Sequence, residues 1–387
     1  MKKTLADRVG QIEPFRVMAM LTEAKRLEAM GRNIVHMEVG EPDFVTPEPI
    51  IEAGKQALTQ GLTHYTPATG IPQLKQRIAD YYADCFQLDI AAERIVITPG
   101  ASGALLLVAA CLVQPGRSVI MSDPGYPCNR HFVSAMGGEA LTLPVAASSG
   151  YQLNGSQLAD HWREDTVAAM VATPSNPTGT LLTSEQLVAL FEVTESRGGY
   201  LIVDEIYQGL VYQKESITAL TLSDELFVIN SFSKFFGMTG WRLGWLVAPE
   251  AFIEPLERLA QNLFIAPPTV AQHAALAAFE PSTQNELERR RKLFQQRRDY
   301  LLPELRALGF DIAIKPEGAF YLYANVSGLT DNSEQFALDL LEHAGVAVTP
   351  GSDFGTLDAH KYLRFSYTTS MEQLKEGVRR IRQFLNS

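Results

Sequence analysis

The stretch NSFSKFFGMTGWRLGWL, Asn230 to Leu246, holds Lys234 and Arg242 eight positions apart among small and apolar residues. Lysine is seldom found inside a protein, yet Phe232, Phe235, Phe236, Met238 and Trp241 offer this one an apolar setting. Desolvation disfavours the ammonium form and lowers its pKa, as nucleophilic and Schiff-base lysines require. Other polar residues follow short apolar runs. PGASGA, after RIVIT, leads into an apolar helix, so its backbone N–H groups and Ser102 can face an anion. DPGYP presents Tyr126, TPSNPTG presents Asn176 between two prolines, and DEIY presents Asp204 and Tyr207. Taken singly, Asn176 reads as a turn residue and Asp204 as a helix N-cap.

The apolar runs supply the scaffold that would gather these residues. RIVITPG, SVIMSDP, AAMVATP, YLIVDEIY, LFVINS and LGWLVAP have the unbroken apolar character of strands buried on both faces. Helix-like segments separate several of them; TSEQLVALFEVTESRG offers a Thr183/Gln186 capping box, apolar Leu187, Leu190 and Phe191, and a Gly198 stop. Alternating strands and helices predict a parallel, doubly wound sheet, and ligands sit beyond the carboxyl ends of such strands. After about Phe252 long charged helices take over, then short strands around GAFYLYANV and KYLRFSY and a last amphipathic helix. This is a second, α+β unit, and the helix-like VMAMLTEAKRLEAMG near the start is expected to pack on it.

Composition narrows the function. The 387 residues are 46% hydrophobic and 20% charged, with a net charge of −11 and no long basic run, which argues against a nucleic-acid partner and for small molecules. Cys85, Cys111 and Cys128 follow neither a disulfide nor a zinc spacing, and no metal is expected. Asp7, Arg8 and Gln11 interrupt any apolar leader after Lys2 and Lys3, so a cytoplasmic protein is expected. Ser231-x-x-Lys234 lacks the K-T-G and S-D-N partners of penicillin-recognising enzymes, and GASGA misses the nucleophile elbow because residue 104 is Ala.

Taken in order, GEPDF, HYTPATGIPQLKQRIA, TPGASGAL, DPGYP, PSNPTG, DEIY, SFSKFFGMTGWRLGW, GAFY and YLRFSY resemble the class I/II aminotransferases, pyridoxal-phosphate enzymes of fold type I. The resemblance spans nearly the whole chain. It implies an α/β fold: a large domain with a mostly parallel, seven-stranded sheet flanked by helices, and a smaller α+β domain built from both ends of the chain. The expected bounds are 1–45 and 286–387 for the small domain and 46–285 for the large one. By this resemblance Lys234 holds the cofactor as an internal aldimine and moves the substrate's α-proton. Asp204 pairs with the pyridine nitrogen, keeping the ring a good electron sink. Tyr207 and Asn176 meet the phenolic oxygen, and Tyr126 stacks on the ring. Ala101, Ser102, Ser231, Ser233 and Arg242 hold the phosphate, where a planar fork suits an oxyanion. Arg364 takes the substrate carboxylate with a backbone contact from Gly40, Asn176 also meets substrate, and Tyr65 reaches the phosphate of a neighbouring subunit, which implies a homodimer.

Specificity rests on residues outside those motifs. Aspartate-using relatives of this kind often carry a lysine where Ser102 stands. The segment EPFRVMAM offers Phe15, Val17 and Met18 as an apolar wall, where a second carboxylate would be desolvated without a partner unless Arg16 supplied one. The expected reaction is L-amino acid:2-oxo acid transamination by a ping-pong route with a neutral or aromatic donor, glutamate and 2-oxoglutarate being a candidate second pair. Aspartate is the alternative donor. A carbon–sulfur β-lyase ranks below both, because Ser175 rather than His precedes Asn176. Aminotransferase-like regulators are disfavoured by the acidic charge and by a match that begins within the first few dozen residues.

Overall fold

Strands with both faces covered are mostly apolar along their length, and the runs between Arg94 and Pro249 follow this, with buried polar residues such as Ser118 and Asn230 as exceptions. In the computed structural model, which describes residues 5–387, they form the centre of the fold; the first four residues, Lys2 and Lys3 of the interrupted leader among them, lie outside the described residues. The strands in chain order are β1 (Val35–His36), β2 (Ile95–Thr98), β3 (Ser118–Asp123), β4 (Glu139–Pro144), β5 (Thr166–Ala172) and β6 (Tyr200–Asp204). They continue with β7 (Phe227–Ser231), β8 (Gly244–Val247), β9 (Tyr321–Asn325), β10 (Val346–Ala347), β11 (Thr349–Pro350) and β12 (Tyr362–Ser366). A seven-stranded sheet has the order β2-β8-β7-β6-β5-β3-β4. Successive residues point to opposite faces, so Leu201 and Val203 of β6 join one apolar cluster and Ile202 joins another.

All neighbours in this sheet are parallel except β8, which runs against both β2 and β7. Gly244 of β8 lies opposite both Thr98 and Ser231. The chain leaving Ser231 at the carboxyl end of β7 therefore turns back over the sheet edge before entering β8, and that return carries Lys234 and Arg242. The sequence reading missed β4: EALTLP is an edge strand, mostly half-exposed, and lacks the apolar run that marks the inner strands. The helix Ser184–Ser196 starts at the expected capping box, with Thr183 and Gln186 exchanging both hydrogen bonds, and gives way to Gly198 at φ 68°.

A second layer joins the two ends of the chain. β1 pairs in parallel with β10, and β9, β12 and β11 form an antiparallel sheet. Met20, Ala24 and Leu27 of the helix Arg16–Ala29 share one apolar cluster with Leu374, Val378 and Ile381 of the final helix Met371–Leu385. Between the layers runs the helix Pro281–Ala307, whose charges are not all in solvent. Its Arg297 is buried and grips Asp43 through two hydrogen bonds of 2.8 Å, while Arg290 donates to the carbonyl of Val45 at 2.7 Å. These contacts fix the GEPDF segment where it crosses toward the strand ends.

Candidate active site

Four loops at the carboxyl ends of parallel strands and the return into β8 meet the GEPDF segment around a cavity of about 210 Å³. Ala101 and Ser102 line it after β2, Tyr126 after β3, Asn176 after β5, Asp204 and Tyr207 at the end of β6, and Ser233 and Lys234 after β7. Arg242, Gly40, Arg364 and Phe15 complete the set of expected residues on its walls. Two others lie elsewhere. Ser231 is 1% exposed behind Ser233, accepting from the Ser233 N–H at 3.0 Å and donating to the Leu243 carbonyl at 3.2 Å, so it braces the loop from below. Tyr65 is 81% exposed and is absent from the cavity walls of its own chain.

Lys234 donates from Nζ to the carbonyl of Gly40 at 2.7 Å. Burial lowers its pKa to about 8, opposed by the charge of Glu41 and assisted by Arg364 and Arg242. Asp204 moves the other way, pushed up to about 6 by burial and held back by the Ile206 N–H and by Lys234. Its Oδ1 accepts from Ile206 N at 3.0 Å, and Oδ2 has no protein partner among the described residues. No helix follows β6 directly, so the reading of Asp204 as a helix cap does not hold.

At one end of the cavity the helix Gly100–Leu112 begins without a capping side chain and without an acidic residue in its first turn. Its first N–H groups are therefore available to an anion. Arg242, in the left-handed region at φ 54°, directs its guanidinium toward this terminus: a Cβ on Gly100 would lie 2.6 Å from Nη2. The hydroxyls of Ser102 and Ser233 face the same cavity. This cradle of N–H groups, hydroxyls and a guanidinium fits a phosphate.

At the other end Arg364 is 2% exposed, so simple surface exposure is ruled out. It donates to Asn176 Oδ1 at 2.9 Å and to the backbone carbonyl of Glu38, and its Nε is buried without a partner. No carboxylate pairs with it among the described residues. The guanidinium lies over the rings of Tyr321 and Phe354, with centroids 4.3 and 4.7 Å from Cζ. Because Asn176 Oδ1 accepts from Arg364, its amide N–H₂ remains free to donate into the cavity. Asn176 also sits in a turn, so both readings of it apply.

Tyr321 is the main cavity residue that motif reasoning left without a role. Its hydroxyl shares a 2.7 Å hydrogen bond with that of Tyr207. The backbone of Gly40 lies against it so closely that a Cβ there would stand 1.9 Å from the phenolic oxygen. GAFY carried the signal, a tyrosine leading into β9, but nothing in its spacing pointed at Tyr207. Glu41 and Thr239 also line the cavity and were not anticipated.

Residues 32–381 match the family described as Aminotransferase class I and II. The chain is 36% identical over 385 residues to (5-formylfuran-3-yl)methyl phosphate transaminase of Methanocaldococcus jannaschii, covering 99% of this chain and 100% of that protein. It is 36% identical over 389 residues to valine–pyruvate aminotransferase of Mycobacterium tuberculosis, with both chains covered in full. A crystal structure of an aminotransferase from Mycobacterium tuberculosis superposes with a TM-score of 0.96 at 36% identity, again over 100% of both chains. A sheet whose strand ends gather a desolvated lysine, a buried aspartate and an uncapped helix terminus, on a chain matched along its length, belongs to the class I and II aminotransferases, enzymes that use pyridoxal 5'-phosphate.

Proposed function

We propose that this aminotransferase prefers an L-amino acid with a neutral or aromatic side chain as donor and a 2-oxo acid as acceptor. The observation that carries the preference is the charge of the cavity wall. Its cations are Lys234, Arg242 and Arg364, and the roles proposed below engage all three. Arg16, the remaining candidate for a second carboxylate, pairs with Glu334 and is not among the lining residues. The nearby wall is Phe15, Val17, Met18 and Leu105, against which a second carboxylate would be desolvated without compensation.

In this reading Ala101, Ser102, Ser233 and Arg242 hold the cofactor phosphate, with Ser231 bracing Ser233. Asp204 would hold the ring nitrogen, Tyr126 the ring face, and Asn176 with Tyr207 the ring hydroxyl oxygen, Tyr321 orienting Tyr207. When bound, the cofactor supplies an electron sink conjugated to the substrate Cα. Arg364 and the Gly40 backbone fix the substrate carboxylate and so turn the Cα–H bond toward Lys234. Lys234 Nζ takes that proton as a neutral amine and returns it nearby, and the burial that lowers its pKa favours the neutral form this needs.

The same reading divides the chain at 45/46 and 285/286 and makes the active unit a cytoplasmic homodimer. Tyr65, Leu62, Leu263 and Ile265 are exposed on segments tied together by the Thr269 Oγ1 to His64 carbonyl bond of 2.8 Å, which favours an interface there. The donor preference is tested by mixing the cofactor-loaded enzyme with single L-amino acids and following the cofactor absorbance. Phenylalanine, leucine or methionine should react with higher kcat/KM than aspartate. Aspartate outrunning every neutral donor by a wide margin would overturn the preference.

A further inference from the structure

The apolar wall has to be held in place, and its support comes from a distant part of the chain. The helix Arg16–Ala29 follows Phe15, which provides no side-chain cap. The missing partner is Asp353: Oδ1 accepts from Arg16 N at 2.7 Å and Oδ2 from Val17 N at 3.4 Å. Asp353 is 2% exposed, so this carboxylate is committed to the task. Its neighbour Phe354 lies on the face of Arg364 and accepts through its carbonyl from Gly125 N at 2.8 Å, one residue before Tyr126. Two residues further on, Thr356 donates from both its backbone and its hydroxyl to Asp123 Oδ2 at 3.0 Å. Phe15 meets Tyr126 edge to face, with centroids 6.2 Å apart.

We propose that Asp353 is a positioning residue for donor selection, and that residues 353–356 act as one strap tying the Phe15–Met18 wall to Arg364 and to the Tyr126 loop. The inference rests on the proposed neutral-donor reading and deepens it by naming what sets the pocket's width. Asp353 is not among the residues that line the cavity. It places the two N–H groups that fix where Phe15 and Val17 stand, so its loss changes the space for a large side chain while the carboxylate contact at Arg364 persists. A small donor such as alanine does not reach the wall.

The test compares Asp353→Ala and Asp353→Asn with the wild-type holoenzyme in the half-reaction with L-phenylalanine and with L-alanine. Asp353→Ala should lower kcat/KM for phenylalanine about tenfold more than for alanine, chiefly through KM, since losing about a methylene's worth of apolar pocket contact has effects of this order. Asp353→Asn keeps one carbonyl acceptor for the helix N–H groups and should recover part of the selectivity. Equal losses for both donors, or no loss for either, would overturn the role. If Asp353→Ala does not fold, Asp353→Asn carries the test, with a smaller shift of the same sign expected and no shift counting against the proposal. The wild-type donor panel decides the neutral-donor reading, whereas the variant-to-wild-type ratio decides this one, so the two can fail separately.

Discussion

Asp204, proposed to meet the cofactor's ring nitrogen, shows most directly how a residue suited to chemistry can weaken the protein that carries it. Burial raises its carboxyl to about 6 from an ordinary 3.8, so folding favours the protonated form. The stabilisation from proton uptake is complete below about 3.8 and is lost as pH rises through 6, leaving an ionised group at higher pH whose burial is only partly compensated by Lys234. Asp204→Asn keeps the oxygen that accepts from Ile206 and removes the charge. At pH 8 the cofactor-free variant should be more stable than wild type by on the order of 3 kcal/mol, and the gain should vanish toward pH 4. Denaturant titration at the two pH values checks this, and the same substitution should abolish useful transamination. Residues of this kind were legible because each followed an apolar run at a place where a parallel sheet binds ligands. Tyr321 was not, because its partners Tyr207 and Gly40 are 114 and 281 positions away, and only the folded chain reveals them.

Among the elements, β1 has an influence beyond its two residues. His36 bridges Glu38 Oε1 at 2.7 Å and Glu28 Oε1 at 3.0 Å, while the backbone carbonyl of the buried Glu38 accepts from Arg364. The hydrogen bond to Glu38 is the main cause that raises the His36 pKa, with Glu28 adding to it and burial opposing. Its contribution to stability is therefore fully present below about 6.5 and fades as pH rises through the higher folded value. His36→Gln should lower the thermal midpoint at about pH 6 and have little effect at about pH 9; a deficit that is equal at both would mean the ring acts by packing alone. The inner strands and the capped helix were readable from periodicity and caps, whereas β1, β10 and β11 have two residues each and no pattern to read. β4 was lost for a different reason, since an edge strand with half-exposed side chains carries no continuous apolar signal.

For the whole molecule, the proposed homodimer makes each cavity depend on a tyrosine it does not own. Lys234→Ala and Tyr65→Ala subunits should each be impaired alone, the first in chemistry and the second in cofactor retention. A hybrid of the two contains one site with both native residues, so co-refolding them should raise activity above that of either variant at limiting cofactor; absence of recovery would place Tyr65 outside the neighbour's site. The pairing of β1 with β10 has a consequence for the order in which the molecule is made. Gly40 and Glu38, whose carbonyls meet Lys234 and Arg364, emerge early from the ribosome, yet their segment is held by Ala347, Thr349, Ser366 and Thr368. A nascent chain that ends before β12 lacks Arg364, the arginine proposed to bind the substrate carboxylate, and the Ser366 and Thr368 contacts that complete the docking of the early segment. The cavity is therefore incomplete until β12 has been made, and products truncated before it carry an unfinished wall.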